Sequence, residues 1–294
     1  MALDFDFSSP VEAITLPLFA AHQVKVFVKR DDLIHPFISG NKWRKLKPIL
    51  NLAEAENKKT LVTFGGAWSN HLLATACAGA KFGFQTHGFV RGESVQNPVL
   101  SLCRLYGMEL HFVDRSAYRD KQRLFDAHFS LDDAVYIHEG GYGKLAASGC
   151  AEIIEELPQV YDHIFVASGT GTTAAGLASA VLAKQWPTQI HAVPVLKGGS
   201  FLKDDIRALA ITPDDIVFHL EYHFGGYAKH NAELICFIRD FVRDTGMMIE
   251  PTYTGKAFYA LTDLVKRGYF NAGTEILLIH TGGLTGFLGM YEQF

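Results

Sequence analysis

Short runs of β-branched and aromatic residues alternate with longer stretches of helical periodicity along almost the whole chain, and that rhythm constrains its fold more than any other feature. Residues 24–29, 61–64, 85–90, 110–113 and 135–138 predict strands, followed by 164–167, 190–195, 217–220 and 276–280. Helices fit between them. Strands joined by helical crossovers pair in parallel and are covered on both faces, so the chain reads as α/β with parallel sheet. Roughly nine strands are too many for one ordinary open sheet with this many crossovers, and two domains are expected. The segment up to about Ala21 reads as loop. No linker, internal repeat or low-complexity tract marks a boundary.

Open α/β sheets bind ligands at the carboxyl ends of their strands, and glycines gather there in this sequence. The run at 61–64 is followed by Gly65-Gly66-Ala67-Trp68-Ser69-Asn70-His71, which opens a helix. Ser69 or Asn70 in that place commonly caps the helix, and three polar side chains behind a glycine turn also form a compact hydrogen-bonding cluster. The run at 164–167 is followed by Ser168-Gly169-Thr170-Gly171-Thr172-Thr173 and an alanine-rich helix. Backbone N–H groups of such a loop, with Ser and Thr hydroxyls, make a phosphate cup. The same letters fit the dinucleotide pattern G-x-G-x-x-A, which makes a nicotinamide oxidoreductase the outside alternative. That pattern asks for an acid closing the next strand, and here Leu196-Lys197-Gly198 follows, so a single-phosphate cofactor fits better.

A third stretch, Ser39-Gly40-Asn41-Lys42-Trp43-Arg44-Lys45-Leu46, places an amine where a helix begins. Trp43, Leu46, Leu50 and Ala53 form the apolar stripe of that helix, which puts Lys42 in its first turn. The electropositive helix N-terminus disfavours a cation there and favours the neutral amine that imine chemistry requires. Lys45 and Lys47 lack that position. Three further pieces are weak singly. Phe224-Gly225-Gly226-Tyr227 puts a tyrosine after flexible backbone, Tyr253-Thr254-Gly255-Lys256 opens a helix that Thr254 can cap, and His280-Thr281-Gly282-Gly283 closes the final strand.

Composition excludes several classes. The formal net charge is -4 and no basic excess points to nucleic acid; no apolar run is long enough to span a bilayer. Acids near Met1 sit where a signal peptide carries Lys or Arg, so a cytoplasmic protein is expected. Cys77, Cys103, Cys150 and Cys236 form no C-x-x-C pair, and no H-E-x-x-H occurs, so no metal is expected.

Taken in order, Lys29-Arg30-Asp31-Asp32, the stretch from Ser39 to Leu46, the stretch from Gly65 to His71, the Ser168 loop, Tyr253-Thr254-Gly255-Lys256 and His280-Thr281-Gly282-Gly283 carry a resemblance over nearly the whole chain. It resembles the pyridoxal-phosphate enzymes of the tryptophan synthase β-subunit fold, in the branch holding D-cysteine desulfhydrases and 1-aminocyclopropane-1-carboxylate deaminases. The resemblance implies two doubly wound parallel-sheet domains, a small one at 48–158 inserted into a larger one built from 1–47 and 159–294. It implies a homodimer that uses pyridoxal 5'-phosphate on a small amino acid.

Lys42 would be the Schiff-base lysine, with Ser69, Asn70 and His71 around the substrate carboxylate and the cofactor ring hydroxyl. Ser168, Gly169, Thr170, Gly171 and Thr172 would hold the phosphate, Tyr227 and Tyr253 would be catalytic, and Thr254 would face the pyridine nitrogen. The expected reaction converts D-cysteine to pyruvate, sulfide and ammonia; the alternative opens the cyclopropane amino acid to 2-oxobutyrate and ammonia. The deaminases of the branch carry glutamate where this chain has Thr254. A carboxylate there would favour a protonated ring and a deep electron sink, whereas threonine supplies no charge. Loss of a thiol from the β-carbon needs the shallower sink only. Two features depart from the family pattern: Ala228 and Lys229 follow Tyr227 where glycine is usual, and the chain is somewhat short.

Overall fold

Two separate sheets carry the strands of the computed structural model, which describes residues 3–209 and 215–294. β1 (Val11–Ile14), α1 (Pro17–Ala21) and β2 (Lys25–Lys29) come first, and α2 (Asn41–Ala55) leads into β3 (Thr60–Gly65). There follow α3 (Asn70–Phe82), β4 (Gln85–Arg91), α4 (Pro98–Leu105), β5 (Glu109–Val113), α5 (Lys121–Asp126) and β6 (Ala134–Tyr136). From α6 (Lys144–Glu155) the chain runs through β7 (His163–Ser168), α7 (Thr172–Ala183), β8 (Gln189–Pro194), α8 (Leu202–Ala208) and β9 (Ile216–Phe218). It ends through α9 (Ala232–Thr245), α10 (Thr254–Lys266) and β10 (Glu275–Ile279).

The larger sheet has the order β1-β2-β10-β7-β8-β9 and the smaller β5-β4-β3-β6. Every strand of the smaller sheet lies in sequence between β2 and β7. Neighbouring strands are parallel throughout, except that β1 runs antiparallel to β2. This corrects the reading of the first 21 residues as loop. β1 is a four-residue edge strand with a mixed burial pattern, held by pairing with β2 rather than by a period of its own. Among the described residues no helix is long and apolar enough to cross a membrane.

The larger sheet is apolar on both faces because helices cover both. Val26, Val28, Phe165, Ile276 and Leu278 pack with Phe258 and Leu261 of α10 on one side. Ile164, Val166, Leu277 and Ile279 meet Leu177 of α7 on the other. This is why the strands read as continuous hydrophobic runs. Trp43, Leu46, Leu50 and Ala53 of α2 are all buried against Leu61 and Ala74 of the smaller sheet and its helix.

Pro48 sits inside α2 and cannot donate to the carbonyl of Arg44, four residues back. That carbonyl faces Gly149 of α6, where a Cβ would lie only 2.0 Å away, so the glycine lets the two helices close on each other. The position of α2 is further fixed by charge. Arg44 is fully buried, donates to both oxygens of Asp31 and also binds Glu156, to which Lys29 Nζ donates at 2.7 Å.

Candidate active site

A cavity of about 710 Å³ opens where the carboxyl ends of β3 and β7 meet the start of α2. Lys42 lines it from the first turn of α2. Gly40 precedes that helix at φ +59°, and a Cβ on it would lie 2.0 Å from the Thr281 carbonyl, so only glycine lets the chain turn into α2 there. Asn41 ties the same turn down: its N–H donates to Thr281 O at 3.3 Å and its Nδ2 to Thr173 Oγ1 at 3.0 Å. The start of α2 thereby lies beside the start of α7.

Burial in the cavity wall drives the Lys42 pKa well below the ordinary lysine value, and the neighbouring Lys45 adds to the effect. The neutral amine expected from the helix N-terminus is therefore favoured chiefly by desolvation. Its strongest polar contact is a long one, 3.5 Å to Gly140 O, whereas Lys45 donates to that carbonyl at 3.0 Å. Lys42 is the less restrained of the two amines.

Ser69 and Asn70 reach the cavity from the β3–α3 turn. Ser69 is the N-cap of α3, its Oγ accepting from Leu72 N at 3.3 Å, and Gly65 leaves the room it occupies. Asn70 is held at both ends of its amide, donating to Gly283 O at 3.0 Å and accepting from Thr285 Oγ1 at 2.6 Å. His71 is buried, with Nε2 2.9 Å from Thr63 Oγ1 and Nδ1 without a partner. Burial, then Lys42 and Lys45, hold its pKa far down, so the ring is neutral.

Across the cavity the Ser168–Thr173 loop enters α7 through Gly171, at φ +73°, with no side-chain cap. The buried Ser168 hydroxyl has no partner, and Thr170 Oγ1 lies 3.0 Å from Thr172 Oγ1. An uncapped helix N-terminus beside an unpaired buried hydroxyl is a cradle for an anion. Gly169 also packs closely: a Cβ would lie 3.1 Å from the Tyr253 ring, tighter than an ordinary contact.

Tyr253 and Tyr227 meet edge to face at the cavity, their rings 5.9 Å apart. Burial raises the pKa of both, Tyr253 well above the usual value, so both keep their protons at neutral pH. Tyr227 is 45% exposed and lines the cavity mouth. Thr254 is buried in the first turn of α10 and does not line the cavity; its Oγ1 accepts from Glu250 N at 2.9 Å.

Two residues of this region escaped sequence reasoning. The buried Glu250 carboxylate accepts the N–H groups of Thr252, Tyr253 and Thr254 at 2.6–2.9 Å and caps α10 in place of Thr254. An acid just before a helix was the available signal. Lys256 is fully buried, and its Nζ donates to the carbonyls of Val195, His223 and Gly226, pinning the loop that carries Tyr227. Its pKa is lowered to about 8 by burial. Nothing in the sequence separated it from a surface lysine.

The sequence profile of the pyridoxal-phosphate dependent enzymes matches residues 8–282. The chain belongs to that family. A 1-aminocyclopropane-1-carboxylate deaminase of Rhizobium rhizogenes is 29% identical over 307 residues, covering 92% of this chain and 90% of its own. A mitochondrial bifunctional D-cysteine desulfhydrase/1-aminocyclopropane-1-carboxylate deaminase of Arabidopsis thaliana is 28% identical over 299 residues, covering 92% and 74%. The crystal structure of a homologue of that deaminase superposes with a TM-score of 0.84 at 26% identity, covering 98% of this chain and 93% of its own.

The chain is thus a fold type II pyridoxal-phosphate enzyme of the lyase and deaminase kind, and the nicotinamide reading of the Gly169 loop falls away. The residues present fit the cofactor: a phosphate cradle at Ser168–Thr173, a neutral amine at Lys42 and an unpaired His71 nitrogen share one cavity. Bound there, pyridoxal phosphate supplies an electron sink for the α-carbon of an amino acid.

Proposed function

We propose that this enzyme removes a β-leaving group and the amino group from a small D-amino acid, with D-cysteine and water giving pyruvate, sulfide and ammonia. The observation that carries this reading is the distribution of carboxylates. Glu139 is the one acid among the described residues lining the cavity, and it pairs with Lys121 at 3.2 Å. None lines the wall at Thr252 and Tyr253, and behind it the Glu250 carboxylate is occupied by three backbone N–H groups. Thr254 lies behind that wall and carries no charge, so a ring nitrogen turned toward it would receive no full charge from that side chain, and a thiolate that carries its own electrons away suits such a site.

In this reading Lys42 holds the cofactor and moves the Cα proton. Ser69 and Asn70 orient the substrate carboxylate, and the protonated Tyr227–Tyr253 pair supplies a proton to the departing sulfur. The enzyme would act as a homodimer, which sedimentation velocity checks.

A second reading is ring opening of 1-aminocyclopropane-1-carboxylate to 2-oxobutyrate and ammonia. The names of the relatives favour it over the first, since that deaminase activity recurs among them. Comparing kcat/KM for D-cysteine, L-cysteine and the cyclopropane amino acid decides the matter. A larger value for the cyclopropane would overturn the first reading, and Thr254→Glu should raise ring opening if the charge argument holds.

A further inference from the structure

Away from the cavity, three side chains converge on one face of the smaller sheet. β4 and β5 run parallel with His87 opposite Glu109 and Phe89 opposite His111, so His87, Glu109 and His111 share a face. His87 Nδ1 lies 3.2 Å from His111 Nε2 and 3.4 Å from a Glu109 oxygen, and His111 Nε2 lies 3.6 Å from the other. We propose that His87, Glu109 and His111 form a binding site for a zinc-class divalent cation.

The spacing is the first argument. A tetrahedral zinc ion with bonds of about 2.0–2.1 Å holds its ligand atoms about 3.3–3.4 Å apart. The three separations, 3.2, 3.4 and 3.6 Å, lie near that edge length, with the carboxylate reaching each nitrogen through a different oxygen. A proton shared between two imidazoles accounts for the first of them, but it does not call for a carboxylate with one oxygen 3.4 Å from one nitrogen and the other 3.6 Å from the second.

The ligand set is the second argument: two imidazoles and one carboxylate suit zinc, nickel or copper, whereas magnesium and calcium take oxygen shells. Burial lowers the pKa of both imidazoles, which favours the neutral form that ligates. The surroundings are of the kind that holds such ligands in place. The His87 ring lies 4.8 Å from Phe129, and His111 packs with Phe89 at 5.0 Å and His128 at 6.2 Å. Glu109 is exposed, which leaves the cluster open to an ion from solvent.

The site would clamp the edge strand β5 to β4. None of the three residues lines the catalytic cavity, so the ion would stabilise the smaller sheet without entering the reaction.

Untagged holoenzyme, stripped with chelator and titrated with zinc chloride in a calorimeter, should bind one ion per chain and gain thermal stability. Glu109→Gln and His111→Ala should each weaken binding at least tenfold and abolish the gain in Tm, with amino-acid turnover unchanged. Glu109→Gln changes only an exposed side chain and keeps the test valid if the histidine variant does not fold. Absence of one-to-one binding, binding unchanged in both variants, or binding lost instead in Cys236→Ser at the exposed cysteine would overturn the proposal.

Discussion

Arg44 meets Asp31 at two points, Nε to Oδ2 at 3.0 Å and Nη2 to Oδ1 at 2.9 Å, with both side chains fully buried. This joins the Lys29–Asp32 segment, at the end of β2, to the first turns of α2. Lys42 lies two residues from the clamp, so the ion pair fixes where its side chain enters the cavity.

Arg44→Met should be severely destabilising. It leaves the Asp31 carboxylate buried with only Lys29 at 3.7 Å and Ser9 as side-chain partners. Removing one member of a buried pair costs about 3–5 kcal/mol. Urea unfolding followed by circular dichroism measures this, and a loss below about 1 kcal/mol would show that the pair does not hold α2.

The same cluster predicts a pH dependence. Burial alone would raise the Glu156 pKa, but hydrogen bonds from Arg44 and Lys29 outweigh it and hold the folded value below the usual 4.5. A carboxylate depressed in the folded state stabilises above its unfolded pKa and loses that contribution as pH falls through the folded value. Stability should therefore decline below about pH 4.5. Glu156→Gln should flatten that decline, as thermal melts across acidic buffers would record.

Lys42→Ala should lower turnover by about 10²–10⁴-fold or more, because in the proposed function proton transfer and covalent attachment would both depend on the amine. Borohydride should no longer fix the cofactor to the chain. The melting temperature should change little, since the side chain lines a cavity and its one polar contact is 3.5 Å long.

Lys256→Met removes the donor from three carbonyls and should cost about 1–3 kcal/mol of stability. Freed from Val195, His223 and Gly226, the Gly225-Gly226-Tyr227 loop should position its tyrosine less well, lowering kcat/KM although Lys256 does not line the cavity. Unchanged kcat/KM with reduced stability would make the lysine a structural support only.

The strands were legible because parallel sheets covered on both faces leave uninterrupted apolar runs such as Ile164-Phe165-Val166. Lys42 and the Ser168 loop were legible because a helix start and a glycine turn have local signatures. The rest depends on partners distant in sequence. Asn70 is fastened to Gly283 and Thr285, and neither contact is written in the Ser69-Asn70-His71 turn. Glu250 takes the cap that the Thr254 position suggested, since its carboxylate can gather three N–H groups where a hydroxyl gathers one. β1 exists only because β2 is beside it.

The sheet order also sets a timetable for biosynthesis. β2 pairs with β10, and the ion pair Lys25–Glu275 across that junction spans 250 residues. At roughly 5–20 residues per second, β2 waits about 12–50 s on the ribosome for its neighbour. The four strands of the smaller sheet all emerge within that interval and can pair among themselves. The N–H of Asn41 has no Thr281 carbonyl to meet until β10 arrives, so the turn that carries Lys42 is completed last. In a nascent chain stalled before residue 275 the strands of the smaller sheet would be free to pair, while the turn carrying Lys42 would still lack its Thr281 contact.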